Sequence, residues 1–242
     1  MADTTKSLRL LQVWVSVLTL LVLALLLALG YLLRQQQHRE LTAERINIVE
    51  PDGQLKLVIS GNQRQHPGMV GGKPLPARER GAGLVFFNEA GDECGGLLYN
   101  GNQHEASMVY SVDQFRNDQL MQLQYNQRAG AGQAVRSYGL KLWDRNDSFP
   151  LARELAYLDS LRALRDTAAY QRDLAQLVAS NQLGAERLFL GKATNGETGL
   201  FLRDSKGRVR LQLYIDAHDQ PVMQLLDTTG KPAKQPVALA IP

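Results

Sequence analysis

The residues able to do chemistry are few and scattered. Four histidines, His38, His66, His104 and His218, stand far apart in the chain. His104-Glu105 opens like a zinc-protease helix motif, but Met108 occupies the place of its second histidine, so no metal site is read. Asp144, Asn146 and Ser148 have the spacing of the first ligands of a calcium loop. Phe149 stands where that loop needs glycine and Leu155 where it needs glutamate, so the stretch reads as a helix start instead. Gly68 to Lys73 imitates a phosphate loop until Pro74 replaces the required hydroxyl residue. Cys94 follows Asp92-Glu93, neighbours that raise a thiol pKa rather than activate it. No catalytic residue, metal or cofactor is assigned, and the reading leans away from an enzyme.

One segment remains as a candidate binding site. Gly61 to Gly83 carries six glycines and three prolines, with Arg64, Lys73, Arg78 and Arg80 opposed only by Glu79. It reads as a long, flexible basic loop. Loops of this length in a compact domain are often functional, which makes the four cations a candidate site for an anionic ligand.

These residues must be positioned by strands. Ile46 and Ile48, then Leu55, Leu57 and Ile59, alternate with polar residues on either side of Glu50-Pro51-Asp52-Gly53. The same arrangement recurs at Asn88–Gly91, Asp204–Gly207 and Asp227–Gly230, each following an apolar strand pattern. In every copy an acidic or amide residue stands three places ahead of glycine. Its side chain can accept backbone N–H bonds, and glycine can take positive φ, which is hairpin chemistry. The turn glycines have no fixed period, so a solenoid or propeller is excluded and an antiparallel meander is expected. From Pro150 to about Asn181 leucines fall at spacings of three and four, one apolar helical stripe that is either one helix or two with a break near Asp166-Thr167. Asp147 or Ser148 is expected to cap it, Pro150 to suit its first turn and Gly184 to follow its end.

At the N-terminal side, Leu10 to Leu33 runs for 24 residues without a charge. A helix of that length spans about 36 Å against a hydrocarbon core of roughly 30 Å. Trp14 and Tyr31 lie near its two ends, suited to the membrane interface. Ala28-Leu29-Gly30 imitates a signal-cleavage site, but the run is too long for a signal peptide and reads as an uncleaved signal anchor. Basic residues nearly balance across it; the short tail before it favours an N-terminus inside and a C-terminal domain outside. Beyond the span the chain has 25 basic against 23 acidic residues, which gives no ground for a nucleic-acid partner.

The expected organisation is a tail at 1–9, a transmembrane helix at 10–33, a helical stalk at 34–45, a β-rich domain at 46–148 with the loop 61–83, a helical segment at 149–183 and a C-terminal meander at 184–242. The stretches RINIVEPDGQLKLVISG, GLVFFNEAGDECGGLLYNG and SVDQFRNDQ, together with FLRDSKGRVRLQLYIDAHDQPVMQLLDTTGK, resemble an uncharacterised bacterial family of single-pass membrane-anchored proteins with a β-rich domain. The resemblance implies an anchored domain at the cell envelope and carries over no catalytic residue. The expected partners are the lipid bilayer, through residues 10–33, and an envelope protein. The function expected is an interaction or structural module, with an anionic-ligand domain at the loop as the alternative.

Overall fold

The computed structural model describes residues 2–35, 40–130 and 133–233. The chain divides into two units, Met1–Ala43 and Glu44–Pro242. The first contains helix α1, Ala2–Gln35, within which Lys6–Leu32 is long and apolar enough to cross a membrane. None of that stretch is buried by protein, and Leu10, Val13, Trp14, Val17 and Leu18 stand exposed around its circumference. Such a helix satisfies its backbone internally and leaves its side chains to an apolar solvent. Even Thr19 turns inward, its hydroxyl donating to the Val15 carbonyl at 2.8 Å.

The stalk expected at 34–45 differs from what is found. Residues 36–39 lie outside the described residues, and residues 40–44 are not helical. The reason is strand pairing. The Glu44 carbonyl accepts from the Gly61 amide at 3.2 Å and the Ser60 hydroxyl at 3.3 Å, so the backbone is already extended there.

The second unit is mainly antiparallel β. Its strands are β1 Arg45–Val49, β2 Leu55–Ser60, β3 Met69–Val70, β4 Lys73–Pro74, β5 Ala82–Phe87, β6 Glu93–Gly101, β7 Glu105–Asp113, β8 Gln119–Arg128, β9 Val135–Asp144, β10 Ala185–Lys192, β11 Thr198–Arg203, β12 Val209–Ile215 and β13 Pro221–Leu225. Apart from the small β3–β4 hairpin, all join one sheet of eleven strands in plain sequence order. Helices α2, Leu151–Ala163, and α3, Thr167–Ala179, are inserted between β9 and β10. The insertion does not divide the sheet, because β9 and β10 pair directly, from Asp144 opposite Ala185 to Tyr138 opposite Lys192.

The helical stripe is two helices. Arg165 takes φ 54° between them, and the Asp166 carboxylate accepts the Ala169 amide at 2.9 Å to cap α3. Neither Ser148 nor Asp147 caps α2, whose N-cap position is Pro150. The Ser148 hydroxyl instead donates to Asn146 at 2.7 Å. Gly184 follows α3 only after Asn181 has turned the chain at φ 56°.

The recurrent turns form as their side chains suggest. The Asn88, Asp204 and Asp227 side chains each accept two backbone amides beyond themselves, and the glycine amides of Gly91, Gly207 and Gly230 donate back to the first turn carbonyl. At the first turn Gly53 bonds the Glu50 carbonyl at 2.9 Å, while Asp52 rather than Glu50 supplies the accepting side chain, to Gln54. One further turn uses the same geometry without glycine, with Asp219 at φ 61° bonding back to the Asp216 carbonyl, while the β7–β8 turn places its positive φ one residue earlier, at Arg116 (58°).

Strand register fixes which side chains share a face. One face carries Val58 paired with Val85, both fully buried, and further along Phe189 paired with Phe201. The rings of Phe189, Phe201 and Tyr214 stack with centroids 5.9 and 5.6 Å apart. Beside them Gly139, Gly191 and Gly199 face one another across β9, β10 and β11. A methyl group at Gly191 would collide with the Tyr138 carbonyl and with Gly139. Gly191→Ala is therefore expected to lower stability by about 1–3 kcal/mol, read as a shifted urea midpoint. An unchanged midpoint would show that the strands separate at no expense.

Candidate functional site

The basic loop is tied down residue by residue. Met69 packs on the core of Val58, Val85 and Phe87, which brings the loop over that face of the sheet. The His66 ring meets Phe87 edge-on at 4.8 Å, and its Nδ1 accepts the Gly68 amide at 3.0 Å. Burial and the nearby Arg45 lower the His66 pKa, keeping that acceptor nitrogen unprotonated. The buried Asp92 carboxylate accepts the Gly72 amide at 2.9 Å, pinning the tip of the β3–β4 hairpin to the β5–β6 turn.

The four cations of the loop are divided. Arg80 makes a two-pronged bond to Glu93, at 2.7 and 2.8 Å, with both side chains largely buried. Arg78 donates to the Pro67 carbonyl at 2.7 Å and approaches the same Glu93 at 4.0 Å. Arg64 pairs with Glu44 at 2.9 Å on the exposed rim, and Lys73 lies exposed in β4. Two cations thus converge on one carboxylate of β6, and the other two lie apart from them along the loop.

What the loop encloses is acidic. A cavity of about 280 Å³ lies between the β3–β4 hairpin, the β5–β6 and β7–β8 turns and the start of α2. Asp92, Glu93, Asp113, Asp118 and Glu154 line it, with Arg78 and Arg116, and Met69, Leu75 and Leu155 supply apolar wall. Arg145 braces one side, bonding the Gln119 and Leu183 carbonyls at 2.9 and 3.1 Å and Asp118 at 3.3 Å. Asp113 carries a buried oxygen without a hydrogen-bond partner among the described residues. Burial, then the charges of Glu93 and Asp118, push its carboxyl up to about 7. Burial and Asp118 also raise Glu154. Burial, Asp113 and Glu93 together raise the Cys94 thiol, so that it is held in its unreactive form. Among the described residues no group of His, Cys, Asp or Glu has the arrangement to hold a metal ion.

The other face of the sheet is the larger feature. Paired residues carry one unbroken row across all eleven strands: Ile46, Ile59, Leu84, Leu97, Tyr110, Leu123, Leu140, Leu190, Leu200, Leu213 and Met223. A second row runs from Ile48 through Phe86, Val112, Leu142 and Leu202 to Leu225, with only Gly95 lacking an apolar side chain. Neither row holds a charge. Leu123 is 46% exposed, Leu190 50% and Met223 70%, so this face is left open by the described residues of the β domain. Monomeric proteins rarely leave a contiguous apolar patch beyond roughly 300–600 Å².

No protein-family model, curated protein or solved structure matches the chain. The site residues therefore rest on geometry alone. Sequence reasoning named the cations, read Asp113–Asp118 as a turn that could also present a recognition surface and saw Glu93 only as a neighbour of Cys94; it missed Arg145 and the meeting of these groups, which the turns bring together from distant positions. It also missed the apolar rows, although the alternation that builds them was on view strand by strand.

The buried carboxyl gives a signed prediction. An acid whose folded pKa lies above its unfolded value of about 4 favours the fold below that value and opposes it as pH rises through about 7. Asp113→Asn removes the opposition. It is expected to match the parent near pH 4 and to exceed it at pH 8 by up to ~4 kcal/mol, seen in urea midpoints at the two values. Equal midpoints at pH 8 would refute the assignment.

Proposed function

We propose that this protein is a single-pass membrane protein whose β domain lies outside the cytoplasm and works as an interaction module at the cell envelope. The observation that carries the reading is the uncovered apolar face joined in one chain to a helix able to span a bilayer. A domain is normally built from two packed layers around a core, and here one side of the sheet lacks its second layer. Something other than the described chain must supply it. Export is compatible with the thiol inventory, since Cys94 has no partner cysteine in the sequence to pair with.

The anionic-ligand alternative has weaker support. The loop cations Arg78 and Arg80 already face Glu93, and the cavity beneath them has an excess of carboxylates. An anion entering it would meet like charge. Lys73 and Arg64 are left, on separate parts of the rim.

Topology is tested by fusing a phosphatase active only outside the cytoplasm, or a fluorescent protein active only inside it, after Pro242. Phosphatase activity without fluorescence is expected. The reverse would place the sheet on the inner side and end the envelope reading.

A further inference from the structure

Resting on the interaction reading of the apolar face, we infer that its occupant is a second copy of this chain, packed sheet to sheet with a two-fold axis passing beside Leu123. Four observations lead there. The first is size. Two apolar rows cross eleven strands, and at about 4.8 Å between strands and about 7 Å between rows they cover roughly 700 Å². A stable interface takes about 800 Å² from each partner.

The second is chemistry. The rows hold no charged side chain, and Tyr110 has their single side-chain polar atom. A partner must therefore be apolar and free of charge over the same extent. An identical face meets that demand without unpaired charges, and a two-fold interface uses the same patch on both subunits.

The third is shape. The face is a surface of strands, and the acidic cavity around Asp113 and Glu93 lies at the strand ends instead. Acyl chains and small ligands are held in concave sites. A sheet is complemented by another sheet about 10 Å away.

The fourth is symmetry of extent. Leu123 lies on β8, the sixth strand of the eleven, so five strands flank it on each side. A two-fold axis at that point covers every residue of the row. The membrane-spanning helix adds to this by confining copies to a plane, which raises their effective concentration.

The test uses the full-length chain in native membranes. In a Cys94→Ser background, Leu123→Cys is treated with a bis-maleimide of about 8 Å, a reach suited to sheets about 10 Å apart. A cross-linked species at twice the 26.9 kDa chain mass is expected. Asn126→Cys, exposed on the opposite face of the same strand, is expected to give none. Leu190→Lys, which keeps the register but places a charge in the row, is expected to convert the dimer to a monomer in native mass spectrometry, with the circular dichroism spectrum retained. Three results would overturn the proposal. They are no Leu123→Cys dimer together with a native mass of one chain, a monomer carrying bound acyl lipid, and a cross-link to a different polypeptide. The last would leave the interaction reading standing while removing the second copy; the first two would remove both.

Discussion

Everything in the β domain depends on one constraint: the period-two alternation of side chains is kept in phase across eleven strands. Each strand is joined to the next in the sheet, so each turn sets the register of the pair it closes. A slip by one residue at any hairpin would move that strand's leucines to the opposite face. Asp204 illustrates how tightly the register is set. Its carboxylate accepts the Lys206 and Arg208 amides and also meets the Arg208 guanidinium, interactions that hold its pKa near 2. The register shifts that occur, as between Phe86 and Phe87 or between Leu202 and Arg203, fall at the turn ends of the strands and leave the central rows intact.

The two faces created by that alternation have different fates. One is overlaid, at β2 and β5, by the loop that carries Met69 and His66, and elsewhere holds the stacked rings of Phe189, Phe201 and Tyr214. On it Glu186 lies between Lys141 at 3.2 Å and Arg203 at 3.0 Å. The other face has rows of leucine that no described residue of the β domain covers. Of the chain's apolar residues, 20 stand in the run from Leu10 to Leu33.

Much of the fold was legible because its signals are local. The strands at Ile46–Ile48 and Leu55–Ile59 and the turn at Asn88–Gly91 could be read from a dozen residues, since alternation and turn chemistry act over that range. The two-helix insertion was left open because Arg165, not glycine, supplies the positive φ at its break. The continuity of the sheet across that insertion was hidden, for β9 and β10 are separated by 40 residues that say nothing about pairing. The site was less legible still. Arg80 was visible as a cation, but its partner Glu93 lies on another strand, and the raised carboxyl of Asp113 arises only from burial among Glu93 and Asp118. The basic loop was read from composition, whereas its ordering comes from the side chains of Asp92, Phe87 and Glu93.

The central claim is that the apolar face is covered in the working protein. Oxidative footprinting of the intact protein in its membrane tests this most directly, with Met223 as reporter because it is 70% exposed in the single chain and ends the row on β13. The account expects slow oxidation of Met223 in the membrane and rapid oxidation once Leu190→Lys is introduced. Oxidation of Met223 as fast in the membrane-embedded parent as in that variant would contradict it.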